Sequence, residues 1–142
     1  MAWYEWYPDY AYDFTGIDLS GWDSITATVT ATSRTSGTAT LENTSTGQTV
    51  SVEIQSSSSL CQQDAEWIVE DYEEGGALVP FASFGWLGIT GAVATSTSGT
   101  QADPGSGTVF NMEQNGVLIA TAYGSGTNVL FATGQDIGQT GF

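Results

Sequence analysis

Between Ser24 and Ala31 the chain alternates residue by residue. Ile25, Ala27, Val29 and Ala31 are apolar, while Ser24, Thr26, Thr28 and Thr30 carry hydroxyls. A period of two places these sets on opposite faces of an extended chain, so such a stretch can bury one face only as a β-strand. Similar runs occur at Thr38–Glu42, Gln48–Ile54, Glu66–Tyr72, Thr108–Met112, Val117–Tyr123 and Asn128–Ala132. Turn signals separate them. Asn115-Gly116 has the form of a two-residue hairpin turn, and Thr46-Gly47 and Gly124-Ser125-Gly126 are further turns.

The stretch Gln62–Glu74 contains helix-favouring Glu, Ala and Gln, but Trp67, Ile68, Val69 and Tyr72 favour strands and Gly75-Gly76 ends the run. Glu66–Tyr72 is therefore expected to be a strand. Thr95–Gly107, rich in Ser, Thr and Gly, reads as a loop. Many short strands joined by turns predict an all-β sandwich or barrel. The 142 residues suit one domain, residues 1–142, with a real core.

Charge narrows the function. The chain has 16 acidic residues, one basic residue (Arg34) and no histidine, for a formal charge of −15. Such a surface cannot neutralise phosphates, which excludes most nucleic-acid binding, and it is repelled by anionic membranes. Near pH 3–4, about the ordinary range of free Asp and Glu, roughly half of the carboxylate charge is lost. With so few cations, that loss breaks almost no ion pairs, so acid does little of its usual damage. The balance points to an acid-adapted, extracellular protein, although an acidic surface also aids solubility. Asn43-Thr44-Ser45 is a glycosylation sequon. Met1-Ala2 leads into Trp3-Tyr4-Glu5-Trp6 with no basic region or apolar stretch, so these residues are not expected to be a signal peptide. The lone Cys61 is either a buried thiol or half of a pair whose partner lies elsewhere.

Without histidine, no Ser-His-Asp or Cys-His machinery is available, and no loop has the spacing of a calcium site or a phosphate-binding lysine motif. No metal or cofactor is expected. Carboxylates remain as acid–base groups. Two segments set them among aromatics: Trp3-Tyr4-Glu5-Trp6-Tyr7-Pro8-Asp9, and Glu66 through Glu74. On a strand, Trp3, Glu5 and Tyr7 share a face. Glu66, Ile68, Glu70 and Tyr72 share another, opposite Trp67, Val69 and Asp71. A carboxylate desolvated between Ile68 and Tyr72 would be held protonated to higher pH, which suits general acid–base work. The same residues could equally be solvated charges on an edge strand.

Ordered blocks make a resemblance specific. Trp3-Tyr4-Glu5-Trp6-Tyr7-Pro8 is followed by Asp13-Phe14-Thr15-Gly16-Ile17, then by Gly37–Asn43 with Thr46-Gly47-Gln48. Ser59-Leu60-Cys61 with Ala65–Glu74, and Val79-Pro80-Phe81-Ala82, complete the set. Together they resemble the eqolisin family of fungal glutamic peptidases, closely from Trp3 to about Phe84 and more loosely to Phe142.

The resemblance implies an antiparallel β-sandwich of concanavalin-like architecture, a secreted endopeptidase acting on proteins or peptides in acid, and no cofactor. It makes Glu70 the catalytic glutamic acid, which deprotonates water and then protonates the leaving amine. It places Trp3, Glu5 and Tyr72 along the substrate cleft, and Tyr7, on the same strand face as Trp3 and Glu5, is expected there with them. The family's catalytic glutamine belongs upstream of the Trp3 block, as does the cysteine that pairs at the position of Cys61. The sequence is thus expected to be incomplete at its N-terminus, lacking a segment or partner chain and weak or inactive alone. Gln139-Thr140-Gly141 repeats the glutamine's tripeptide at the wrong end and reads as chance. Two other readings compete: a noncatalytic lectin-like module binding glycans or peptides through Trp3, Tyr7 and Tyr72, and a glycosidase using Glu5 and Glu70.

Overall fold

The computed structural model describes residues 1–134. It contains two compact units, Met1–Asp64 and Ala65–Phe142. Gln139-Thr140-Gly141 lies outside the described residues.

The first unit begins with a short antiparallel pair, β1 (Trp3–Tyr4) and β2 (Tyr12–Asp13). Tyr4 stacks on Tyr12 at 5.9 Å and meets Phe14 edge-on at 5.0 Å. Beyond Tyr4 the aromatic block leaves the ladder, and the Tyr7–Pro8 bond is cis.

The main sheet of this unit has three antiparallel strands in the order β3-β4-β5: β3 (Ile25–Ala31), β4 (Ser36–Asn43) and β5 (Gln48–Gln55). All three match the alternating runs of the sequence. The register aligns Val29, Ala39 and Val52 across one face and Thr28, Thr40 and Ser51 across the other. A cross-strand hydroxyl contact of 2.8 Å joins Thr40 to Ser51. In β4 every second residue, Gly37, Ala39, Leu41 and Asn43, is buried, whereas edge strand β3 is exposed throughout. At Gly37 a Cβ would lie 2.6 Å from the Thr30 carbonyl oxygen, so the close approach of β3 and β4 requires glycine there.

The β4–β5 connection is organised by Asn43, which is fully buried. Its Nδ2 donates to the Asp18 carbonyl at 2.9 Å and to Asp23 Oδ2 at 2.8 Å. Its Oδ1 accepts from the Ser45 and Thr46 amides at 3.1 and 3.2 Å. Both donors and the acceptor of the sequon side chain are engaged, which a glycosylated amide could not sustain. Gly47, in the turn the sequence marked, has φ of 78°.

In the second unit, β6 (Glu73–Glu74) and β7 (Ala77–Leu78) form a minimal hairpin across Gly75-Gly76, both with positive φ. Next come β8 (Trp86–Ile89), the short pair β9 (Ala94–Thr95) and β10 (Gln101–Ala102), and a 3-10 turn at Pro104–Ser106. The stretch read as a loop therefore holds a hairpin and a capped turn. The strands β11 (Met112–Gln114), β12 (Val117–Ser125) and β13 (Asn128–Thr133) complete an antiparallel sheet in the order β11-β12-β13-β8. Its core includes Ala120, Val129, Phe131 and Ala132.

Three expectations are corrected here. The strand at Thr108–Met112 begins only at Met112. The Asn111 side chain accepts from the Ala122 amide at 3.2 Å in place of a backbone partner, and a register shift follows between Met112 and Glu113. The turn at Gly124-Ser125-Gly126 sits later, because Gly124 and Ser125 belong to β12 and Ser125 already pairs with Asn128. Glu66–Tyr72 forms no strand ladder among the described residues. Asn115-Gly116 behaves as expected, with φ of 52° and 75° between the paired Gln114 and Val117.

Candidate active site

The segment carrying Glu70 keeps the alternation of an extended chain without a strand's hydrogen bonds. Glu66, Ile68, Glu70 and Tyr72 are exposed, and Trp67, Val69 and Asp71 are half-buried. The two faces read from the sequence are therefore real. What is absent is a neighbouring strand whose amides and carbonyls match this backbone among the described residues. Two contacts tie the far end of the segment. Gln114 Nε2 on β11 donates to Asp71 Oδ2 at 3.3 Å, and the Val79 amide donates to the Tyr72 carbonyl at 3.0 Å.

Glu70 thus faces solvent next to an anchored residue. The desolvating surface expected around it is not formed within this unit, because Ile68 is 58% and Tyr72 56% exposed. The inward face of the segment is different. Trp67 and Val69, with Val109, Phe110 and Phe131, wall a largely apolar cavity of about 410 Å³, which the outward Ile68 also lines. Glu66 borders this cavity, and Glu70 is not among its lining residues.

In the first unit, Trp3 on β1 is 55% exposed and Tyr7, just before the cis proline, is 84% exposed. Glu5 is exposed between them, and Trp6 points the other way. Trp6 is buried, with its indole Nε1 donating to the Ser58 carbonyl at 3.0 Å. The structure thus groups Trp3, Glu5 and Tyr7 as outward residues of one segment, and Glu70 and Tyr72 as outward residues of another.

Sequence reasoning missed Gln114, whose partner lies 43 positions away and leaves no local mark. It also missed β8, a mostly exposed edge strand, although Trp86-Leu87-Gly88-Ile89 between Gly85 and Gly91 is a short apolar run bounded by turn residues, which is a strand signal. Cys61 is exposed and free, which removes the buried-thiol alternative.

An antiparallel all-β architecture with a glutamate presented on an acidic, histidine-free scaffold defines a narrow class, and the matches to known proteins identify it. The chain belongs to the peptidase A4 family, whose model matches residues 1–132 and so spans both units. It is 50% identical over 130 residues to Aspergillopepsin-2 of Aspergillus niger, which covers 90% of this chain but 46% of that protein. The chain therefore spans about half the length of that curated relative. Its fold matches the crystal structure of aspergilloglutamic peptidase from Aspergillus niger with a TM-score of 0.86 at 48% identity, covering 93% of this chain and 78% of the other. It matches scytalido-glutamic peptidase, solved with a transition state analog inhibitor, with a TM-score of 0.84 at 41% identity, covering 93% and 68%. The chain shares the β-sandwich fold class of these peptidases.

Proposed function

We propose that this chain carries the acid–base half of a glutamic endopeptidase that hydrolyses protein or peptide substrates in acid, outside the cell. The observation that carries the reading is the presentation of Glu70 to solvent on an alternating segment within the family match. In the proposed reaction the Glu70 carboxylate takes a proton from water as the oxygen attacks the scissile carbonyl. The tetrahedral intermediate then collapses, and Glu70 returns the proton to the departing amine nitrogen. Trp3, Glu5, Tyr7 and Tyr72 contribute substrate contacts through aromatic surface and one carboxylate. No cofactor takes part.

The developing oxyanion needs a donor. One such donor typically contributes about 10²–10³ in rate. The resemblance assigns this role to a glutamine upstream of the Trp3 block, and in the proposed mechanism full activity depends on that residue. The low content of bases and the carboxylate-rich surface support an acidic, extracellular setting. The relatives named above are peptidases, which does not favour a noncatalytic glycan-binding module.

The test is cleavage of a denatured protein at pH about 3–4, the ordinary range of free carboxylates, with an inhibitor of ordinary aspartic peptidases present. The chain alone should cleave weakly or not at all. Supplying the relatives' segment upstream of Trp3 should raise cleavage, and Glu70→Gln should then abolish it. Cleavage that survives Glu70→Gln would remove Glu70 from the mechanism. Full inhibitor-resistant activity of the bare chain, lost in Glu70→Gln, would show that another group serves as the donor.

A further inference from the structure

Within the first unit, the inward side of the aromatic block borders a second cavity of about 300 Å³. Its walls include Tyr4, Trp6, Tyr10 and Tyr12, and its rim carries two carboxylates, Asp9 and Glu53. Trp3, Glu5 and Tyr7, the residues assigned to substrate, do not line it. We propose that this cavity is a binding site for the guanidinium group of an arginine side chain on a peptide or protein partner.

Three features support that chemistry. The walls are aromatic and already organised. Tyr4 is stacked on Tyr12 at 5.9 Å, and Trp6 is fixed by its indole hydrogen bond to Ser58. A planar cation gains from lying on such faces. The carboxylates differ usefully in state. Asp9 is held by the Ser56 hydroxyl, and its amide donates to the Trp6 carbonyl at 2.8 Å, so it is fixed beside the ring. Glu53, on edge strand β5, makes no side-chain hydrogen bond or ion pair among the described residues and is free to accept a forked donor. Finally, the chain supplies almost no cation of its own. Its one basic side chain, Arg34, donates Nε to the Leu60 carbonyl at 3.1 Å, and the formal net charge is −15. Arg34, the one basic side chain of these 142 residues, does not line the cavity, and the overall field favours the approach of a cation. The site needs no cleavage chemistry and stands whether or not Glu70 is catalytic.

The experiment is a titration of the ¹⁵N-labelled chain at low salt and near-neutral pH, following the Trp6 indole N–H signal. The probes are acetyl-Gly-Arg-Gly-amide, the same peptide with citrulline, which keeps the shape and removes the charge, and maltotriose. The arginine peptide should shift the signal saturably with a dissociation constant of about 1–10 mM, as expected for a small ligand on an open site. Added salt should weaken it. The citrulline peptide and maltotriose should leave the signal in place. Glu53→Gln, at an exposed position, should weaken binding about two- to fivefold. Tyr12→Ala should do so by a similar factor, about two- to fivefold. Equal binding of citrulline would overturn the charge requirement, and saturable binding of maltotriose would make this a sugar site. No saturation by the arginine peptide, or an affinity unchanged in Glu53→Gln, would dismiss the site.

Discussion

Strand β4 and the segment at residues 66–72 carry the same alternation in sequence and come to different ends. In β4 the residues pair with β3 on one side and β5 on the other, and every second side chain is buried. In 66–72 the side chains also alternate inward and outward, yet the backbone joins no ladder among the described residues. Alternation fixes which face a residue takes. It does not supply the partner whose hydrogen bonds make a strand. The comparison also separates roles. The paired strand holds buried apolar and amide groups, and the unpaired segment presents carboxylates to water.

If those roles are separate, Glu70→Gln should act on catalysis alone. In protein that shows the proposed peptidase activity, cleavage should fall by about 10²–10⁴, the usual range for removing a general base. The thermal midpoint should stay put, because Glu70 is exposed. A large loss of stability in this variant would mean that the segment is structural after all.

Asn43→Ala should do the reverse. It removes four hydrogen bonds around a fully buried side chain at the end of β4. The expected cost is about 2–3 kcal/mol, measured by urea unfolding. Cleavage per folded molecule should be unchanged. The same burial predicts that protein made by a glycosylating host carries no glycan at Asn43. Peptide mapping by mass spectrometry would check this, and a modified Asn43 in folded protein would contradict the hydrogen-bond network.

Gly37→Ala tests the β3–β4 contact more gently. Its Cβ would meet the Thr30 carbonyl, and the strands would have to part, at a cost of about 1–3 kcal/mol. Val29→Thr, on the exposed edge strand, should change stability by no more than about 0.5 kcal/mol. Val29 is 84% exposed, so its apolar character is not used within this unit. A larger loss at Val29 would reveal packing on β3 from a partner.

Much of the fold is legible in the amino-acid sequence. The runs at 24–31, 38–42 and 48–54 became β3, β4 and β5, because alternation, β-branched residues and nearby turns all favoured the same state. Asn115-Gly116 fixed its hairpin, since few residues accept positive φ at two successive positions. The face assignments around Glu70 also followed from the period of two. The signature blocks were enough to identify the family, and the match over residues 1–132 bears that out.

Tertiary structure decided what depends on distant partners. A sequon looks like a glycosylation site until Asp18 and Asp23 close around its amide. Residues 108–111 look like a strand until Asn111 takes the hydrogen bond that a backbone carbonyl would have accepted. Ile68 and Tyr72 look like desolvating neighbours of Glu70, but desolvation requires surface from elsewhere in the chain, and within this unit both remain more than half exposed. Local sequence sets backbone preference and facing. Burial and ladder pairing are sums over contacts distant in sequence, and those sums become available only when the chain is folded.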